Sequence, residues 1–134
     1  MTSIYDLYAT NETAAEEGKW FEFSPEISVK IRRFKSKKSR KVREALEAPY
    51  KRVNKFGATL PDDVQEDIAA EHIAEGIVVD WKGLKDRDGN DLAYSKAAAL
   101  KLFRDLPEFR DAIAEISLSL DNYRDDEKEE VLGN

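Results

Sequence analysis

Apolar and polar positions alternate most clearly along Ile27-Ser28-Val29-Lys30-Ile31-Arg32. A period of two puts Ile27, Val29 and Ile31 on one face of a strand and the polar side chains on the other. Lys19-Trp20-Phe21-Glu22-Phe23 precedes this segment, with Ser24-Pro25-Glu26 as the turn, so a β-hairpin with one buried face is predicted. The period then changes. Val42, Leu46, Tyr50 and Val53 recur at helical spacing, and Pro49, which lacks an N–H, should kink or restart that helix. Gly57 closes the segment. Thr59-Leu60-Pro61-Asp62 has the form of a helix start, with Thr59 as N-cap, an early proline and carboxylates at the positive dipole end. Val64, Ile68, Ile73, Ile77 and Trp81 continue the inward stripe, which predicts one helix over residues 62–80.

Asp86-Arg87-Asp88-Gly89-Asn90-Asp91 predicts a tight turn closing a short β-ribbon before Tyr94. Ser95 caps a further helix with Leu100 and Phe103 buried, and Pro107 ends it and opens the last helix, over residues 107–123. That helix carries Phe109, Ile113, Ile116, Leu120 and Tyr123 as one apolar stripe. The fold class predicted is mainly α with a small N-terminal β-hairpin (α+β), three to four helices in one compact domain. Residues 1–18 read as a flexible N-terminal arm bearing a short Ile4-Tyr5-Leu7-Tyr8 cluster, residues 19–123 as the domain, and residues 124–134 as an acidic C-terminal tail.

Composition narrows the chemistry. The 134 residues suffice for one domain, and the absence of cysteine removes disulfides, thiolate metal sites and cysteine nucleophiles. The first residues offer neither a basic start nor an apolar core, so no secretory leader is expected. The longest apolar run, residues 97–100, is too short for a membrane span. With a single histidine, His72, no triad and no histidine metal cluster can be built; a lone helical histidine reads as a partly exposed surface residue. The aspartate turn does not match a calcium loop, because counting from Asp86 puts glycine fourth and Ala97 twelfth. No phosphate loop or nucleophile elbow is present. The expectation is a non-enzymatic protein with no catalytic residues, no cofactor and no metal.

Charge is unevenly distributed. Residues 1–55 hold 13 Lys/Arg against 8 Asp/Glu, a balance of +5, while residues 56–134 hold 9 against 20, a balance of −11. Such polarity favours self-association or partners of either sign at opposite ends. Residues 30–43 hold nine basic residues and no acidic one. Lys37, Lys38, Arg40 and Lys41 are the candidate protein-binding cations, and nucleic-acid binding through the same segment is the alternative. On the last helix, Phe109 and Ile113 read as core, whereas Ile116, Leu120 and Tyr123 are candidate protein-binding positions.

Residues 77–84, Ile-Val-Val-Asp-Trp-Lys-Gly-Leu, lead to the turn at Asp86-Arg87-Asp88-Gly89 and then Leu92-Ala93-Tyr94-Ser95-Lys96. With Leu106-Pro107-Glu108-Phe109 and Leu120-Asp121-Asn122-Tyr123-Arg124, this half resembles the tail assembly chaperones of long-tailed bacteriophages and prophages. The likeness covers residues 68–134, while residues 19–56 match only in general character, and the strong basic run departs from the pattern. The resemblance implies a non-enzymatic assembly factor of the host bacterial cytoplasm that binds the tape measure protein and helps recruit tail tube protein; the opposite charges of the two halves add the expectation of a homo-oligomer. It also implies that a chain ending at Leu132-Gly133-Asn134 is the shorter of two products related by a frameshift.

Overall fold

The computed structural model describes residues 3–55, 57 and 59–124; the acidic run expected after Arg124 lies outside the described residues. The hairpin forms where the alternation placed it. Strand β1 (Lys19–Ser24) pairs antiparallel with β2 (Ile27–Ile31), and Val29 and Ile31 are fully buried.

The sheet does not stop there, and the expected fold of one hairpin with three to four helices is overturned. A third strand, β3 (Val78–Lys82), pairs antiparallel with β2, giving the order β1-β2-β3. The described residues also form five helices of six or more residues: α2 (Glu12–Glu17), α3 (Lys37–Glu47), α5 (Asp62–His72), α6 (Lys96–Asp105) and α7 (Pro107–Leu118). Two five-residue helices join them, α1 (Ile4–Tyr8) and α4 (Lys51–Lys55). The architecture is α+β.

The helix expected over residues 62–80 is three structures in succession. Helix α5 ends at His72, residues Ile73–Ile77 form a π-helical turn, and β3 follows with no loop. Helical spacing of Ile73, Ile77 and Trp81 holds by coincidence, since a wide turn and then an extended strand bring all three into the core. The β-branched run Ile77-Val78-Val79 favours the extended state. The Tyr94 hydroxyl stabilises the switch, lying 2.8 Å from the Ala74 carbonyl and 3.2 Å from that of Val78. Trp81 is tied down by its indole N–H, which donates to the Leu92 carbonyl at 2.7 Å.

Two other boundaries differ from expectation. Pro61, not Thr59, occupies the N-cap of α5, and no side chain caps that helix. Helix α7 ends at Leu118, and Leu120–Tyr123 is a 3-10 turn. Elsewhere local signals hold: Ser95 accepts from the Ala98 N–H at 3.0 Å, Pro107 opens α7, and Gly89 supplies the positive φ of the turn bridged by Lys85 and Asp91. Pro49 sits in a 3-10 turn that separates α3 from α4.

The core lies between the inner sheet face and the helices. Val29, Ile31, Ile77, Val78, Phe103 and Ile113 are its least exposed members larger than alanine, and Phe23 and Phe109 meet edge-on at 5.5 Å. The first residues are not detached: Ala15 of α2 is buried, and its carbonyl accepts from the Arg33 N–H at 3.0 Å.

Candidate protein-binding surface

Helix α3 presents the basic segment because its small side chains point inward. Ser36 caps it by accepting from the Ser39 N–H at 3.3 Å, and Ser39 and Val42 are buried against the π-helical turn. Gly76 permits this approach: a Cβ there would stand 3.2 Å from Ser39 Cα and from Val42 Cβ. With the inner face fixed, Lys37, Lys38, Arg40 and Lys41 are all exposed, and none has an ion-pair partner among the described residues.

The arrangement is costly for the helix itself. Cations in a first turn oppose the helix dipole, and Lys37 with Lys41, Lys37 with Arg40, and Lys38 with Lys41 stand at repulsive spacings, each worth about 0.2–0.5 kcal/mol. One anion offsets this: the Glu16 carboxylate accepts from the Lys37 backbone N–H with both oxygens at 3.0 Å. A local rule is thus broken at one solvent-facing patch, the pattern expected where a surface is kept for binding.

The remaining basic residues are not all available. Arg32 is half-buried and donates to the Glu16 carbonyl at 2.7 Å and the Gly76 carbonyl at 2.9 Å, with burial lowering its pKa against the opposing pull of Glu16. Arg43 pairs with Glu47 at 2.6 Å and lies over the Phe34 ring at 5.5 Å. Arg32 and Arg43 are thus engaged in the fold, whereas Lys37, Lys38, Arg40 and Lys41 stand exposed on α3.

The apolar candidates are placed differently. Ile116 and Leu120 are half-buried, Ile116 against the core. Tyr123 is wholly buried, its hydroxyl donating to the Ile31 carbonyl at 2.9 Å and its ring meeting Phe21 edge-on at 5.9 Å. Burial pushes that hydroxyl's pKa upward. These three residues belong to α7 and the turn after it, apart from the cation face of α3.

Three features escaped the sequence reading. A cleft of about 630 Å³ opens between α3, α5 and α7, with Phe34, Ile68, Ile73 and Ala114 on its apolar walls and Arg43 and Arg110 at polar positions. Arg110 pairs there with Glu66 and with Asp111. His72 lines the same cleft and is buried, not partly exposed; its Nε2 lies 2.8 Å from Ser39 Oγ, and its ring meets Phe34 edge-on at 5.0 Å. Partners 33 residues apart leave no local signal. Third, α1 buries nothing: Ile4, Tyr5, Leu7 and Tyr8 are 64%, 78%, 42% and 63% exposed. That cluster was visible in the sequence, but its exposure was not.

Among the described residues no three or more His, Asp or Glu side chains are grouped to hold a metal ion, and no helix is long and apolar enough to cross a membrane. Fold and surface define a small α+β protein whose most distinctive face is a cationic helix. Residues 34–134 match the model of the YdaY prophage protein family, so the chain belongs to that family and is a prophage protein. No curated protein and no solved structure matches it.

Proposed function

We propose that this prophage protein is a non-enzymatic tail assembly chaperone. It binds the tape measure protein in the host bacterial cytoplasm and helps recruit tail tube subunits during tail morphogenesis. The observation that carries the reading is the outer face of α3, where Lys37, Lys38, Arg40 and Lys41 are held in solvent against the preferences of their own helix. Membership of a prophage family and the resemblance over residues 68–134 give the biological setting. Four exposed cations on one helix suit acidic stretches of a long partner chain, steering encounter and setting register more than supplying raw affinity.

The same face could neutralise phosphates, and the experiment separates the two. The tape measure protein of the same prophage is co-expressed with the wild type and with a variant reversed to Glu at Lys37, Lys38, Arg40 and Lys41. The wild type should keep it soluble and co-purify with it, and the reversed variant should do so poorly. Failure of the wild type to bind, together with tight retardation of DNA at physiological salt that the reversal abolishes, would replace this reading with a nucleic-acid-associated regulator.

A further inference from the structure

The outer face of α3 carries Lys37, Lys38, Arg40 and Lys41, which no ion pair among the described residues neutralises. The chain holds a matching counter-charge of its own. Residues 125–130, Asp-Asp-Glu-Lys-Glu-Glu, carry five acidic residues against one lysine. We propose that this acidic run folds back onto the α3 face of its own chain and occupies it until an acidic partner displaces it. The contact stands on charge and reach; its role as a gate rests on reading that face as the partner surface.

Helix α2 bridges the start of the acidic run and the start of α3. At one end, the Asn11 N–H donates to the Tyr123 carbonyl at 2.7 Å, one residue before Arg124. At the other, the Glu16 carboxylate accepts from the Lys37 backbone N–H at 3.0 Å. Asn11 is the N-cap of this helix, so five residues of helical rise, roughly 8 Å, separate it from Glu16. With the Glu16 side chain included, the path from Tyr123 to the first turn of α3 is roughly 20 Å, and the straight line is shorter. The six residues after Arg124 span up to roughly 20 Å when extended. Glu129 and Glu130 are therefore within reach of Lys37 and Lys38.

Charge selects α3 over nearer surfaces. Residues 1–18, which include the α1 and α2 neighbours of Arg124, carry Asp6, Glu12, Glu16 and Glu17 and no Lys or Arg, so they repel an acidic run. The first turn of α3 attracts it twice over, through Lys37 and Lys38 and through the positive end of the helix dipole. An anionic run also relieves the repulsion among α3 cations three and four residues apart. Tethering favours the run of the same chain, because a short link holds it at millimolar effective concentration, which other copies in dilute solution do not match. Each exposed ion pair is weak and screened by salt, so the run remains displaceable by a longer acidic stretch, as a gate requires.

Carbodiimide joins a carboxylate to an amine in direct contact, and peptide mass spectrometry then names the pair. In the full-length protein at low salt, carboxylates of residues 125–130 should join Lys37, Lys38 and Lys41 within the monomer, and rarely the exposed Lys101 of α6. Concentrated salt should abolish the linkage. A full-length variant with Asp125→Asn, Asp126→Asn, Glu127→Gln, Glu129→Gln and Glu130→Gln gives a second readout. By fluorescence anisotropy it should bind labelled polyglutamate severalfold more tightly than the wild type does, and the difference should fade as salt rises. Linkage at the α3 lysines no greater than at Lys101, linkage found only between two copies, or equal affinities for polyglutamate would overturn the proposal. Linkage with unequal affinities, beside tape measure capture indifferent to reversal of the four α3 cations, would end the proposed function and leave the tail contact standing.

Discussion

Protonating His72 should loosen the seam between α3 and α5. Its imidazole is buried, bonded to Ser39 Oγ at 2.8 Å, and packed edge-on against Phe34. Burial holds its pKa below 6.5, and the nearby Arg43 guanidinium lowers it further, while the Ser39 bond and Glu47 push weakly the other way. The sign follows from which state takes the proton first. As pH falls through 6.5 the unfolded chain protonates and the folded chain does not, so stability present above that pH is lost down to the folded pKa. The loss from this one group is at most about 1.4 kcal/mol per pH unit within that window. Urea unfolding of the wild type and of a His72→Gln variant, at about pH 7.5 and about pH 5.5, isolates the contribution, because glutamine can hydrogen-bond but cannot titrate there. The wild type should lose more stability on acidification than the variant. Equal losses would show that His72 takes its proton equally in both states, and the reasoning would fail.

Other expectations can be checked with the same unfolding measurements. Gly83→Ala should cost about 2–4 kcal/mol, since φ is +80° and the new Cβ would stand 1.8 Å from the Glu26 carbonyl oxygen; Gly89→Ala, at φ +82° with open space, should cost only about 1 kcal/mol. Tyr123→Phe should cost about 1–3 kcal/mol by leaving the buried Ile31 carbonyl without its 2.9 Å donor. Lys38→Glu with Lys41→Glu should leave stability unchanged or raise it by up to about 1 kcal/mol through the helix dipole, while weakening partner capture in pull-down.

The parts legible in the sequence are those decided within a few residues. The hairpin followed from a period of two, and α6 and α7 from Ser95 and Pro107 at their starts. Strand β3 was hidden because Ile73, Ile77 and Trp81 fit a helical stripe, while the reasons to leave the helix lie elsewhere: the Tyr94 hydroxyl, and β2 waiting as a partner. Gly76 before a β-branched run was the one local hint. The cation face of α3 was legible because charge is read directly, but which basic residues are occupied depends on Glu16, Gly76 and Glu47. Tyr123 was read as a surface residue because the helix was extended past Leu118; a 3-10 turn redirects it inward. The cleft joins three helices distant in sequence, and no periodicity encodes it.

The placement of β2 in the middle of the sheet bears on how the protein can be divided. The family match begins at residue 34, yet β3 within it has β2, at Ile27–Ile31, as its one neighbour in the sheet among the described residues. A fragment cut at residue 34 would leave β3 a solitary strand and strip Val29 and Ile31 from the core. It would also lose Arg32, whose guanidinium joins the carbonyls of Glu16 and Gly76. The unit that folds is therefore larger than the stretch that matches the family model, and expression of residues 34–134 alone should give an aggregating product.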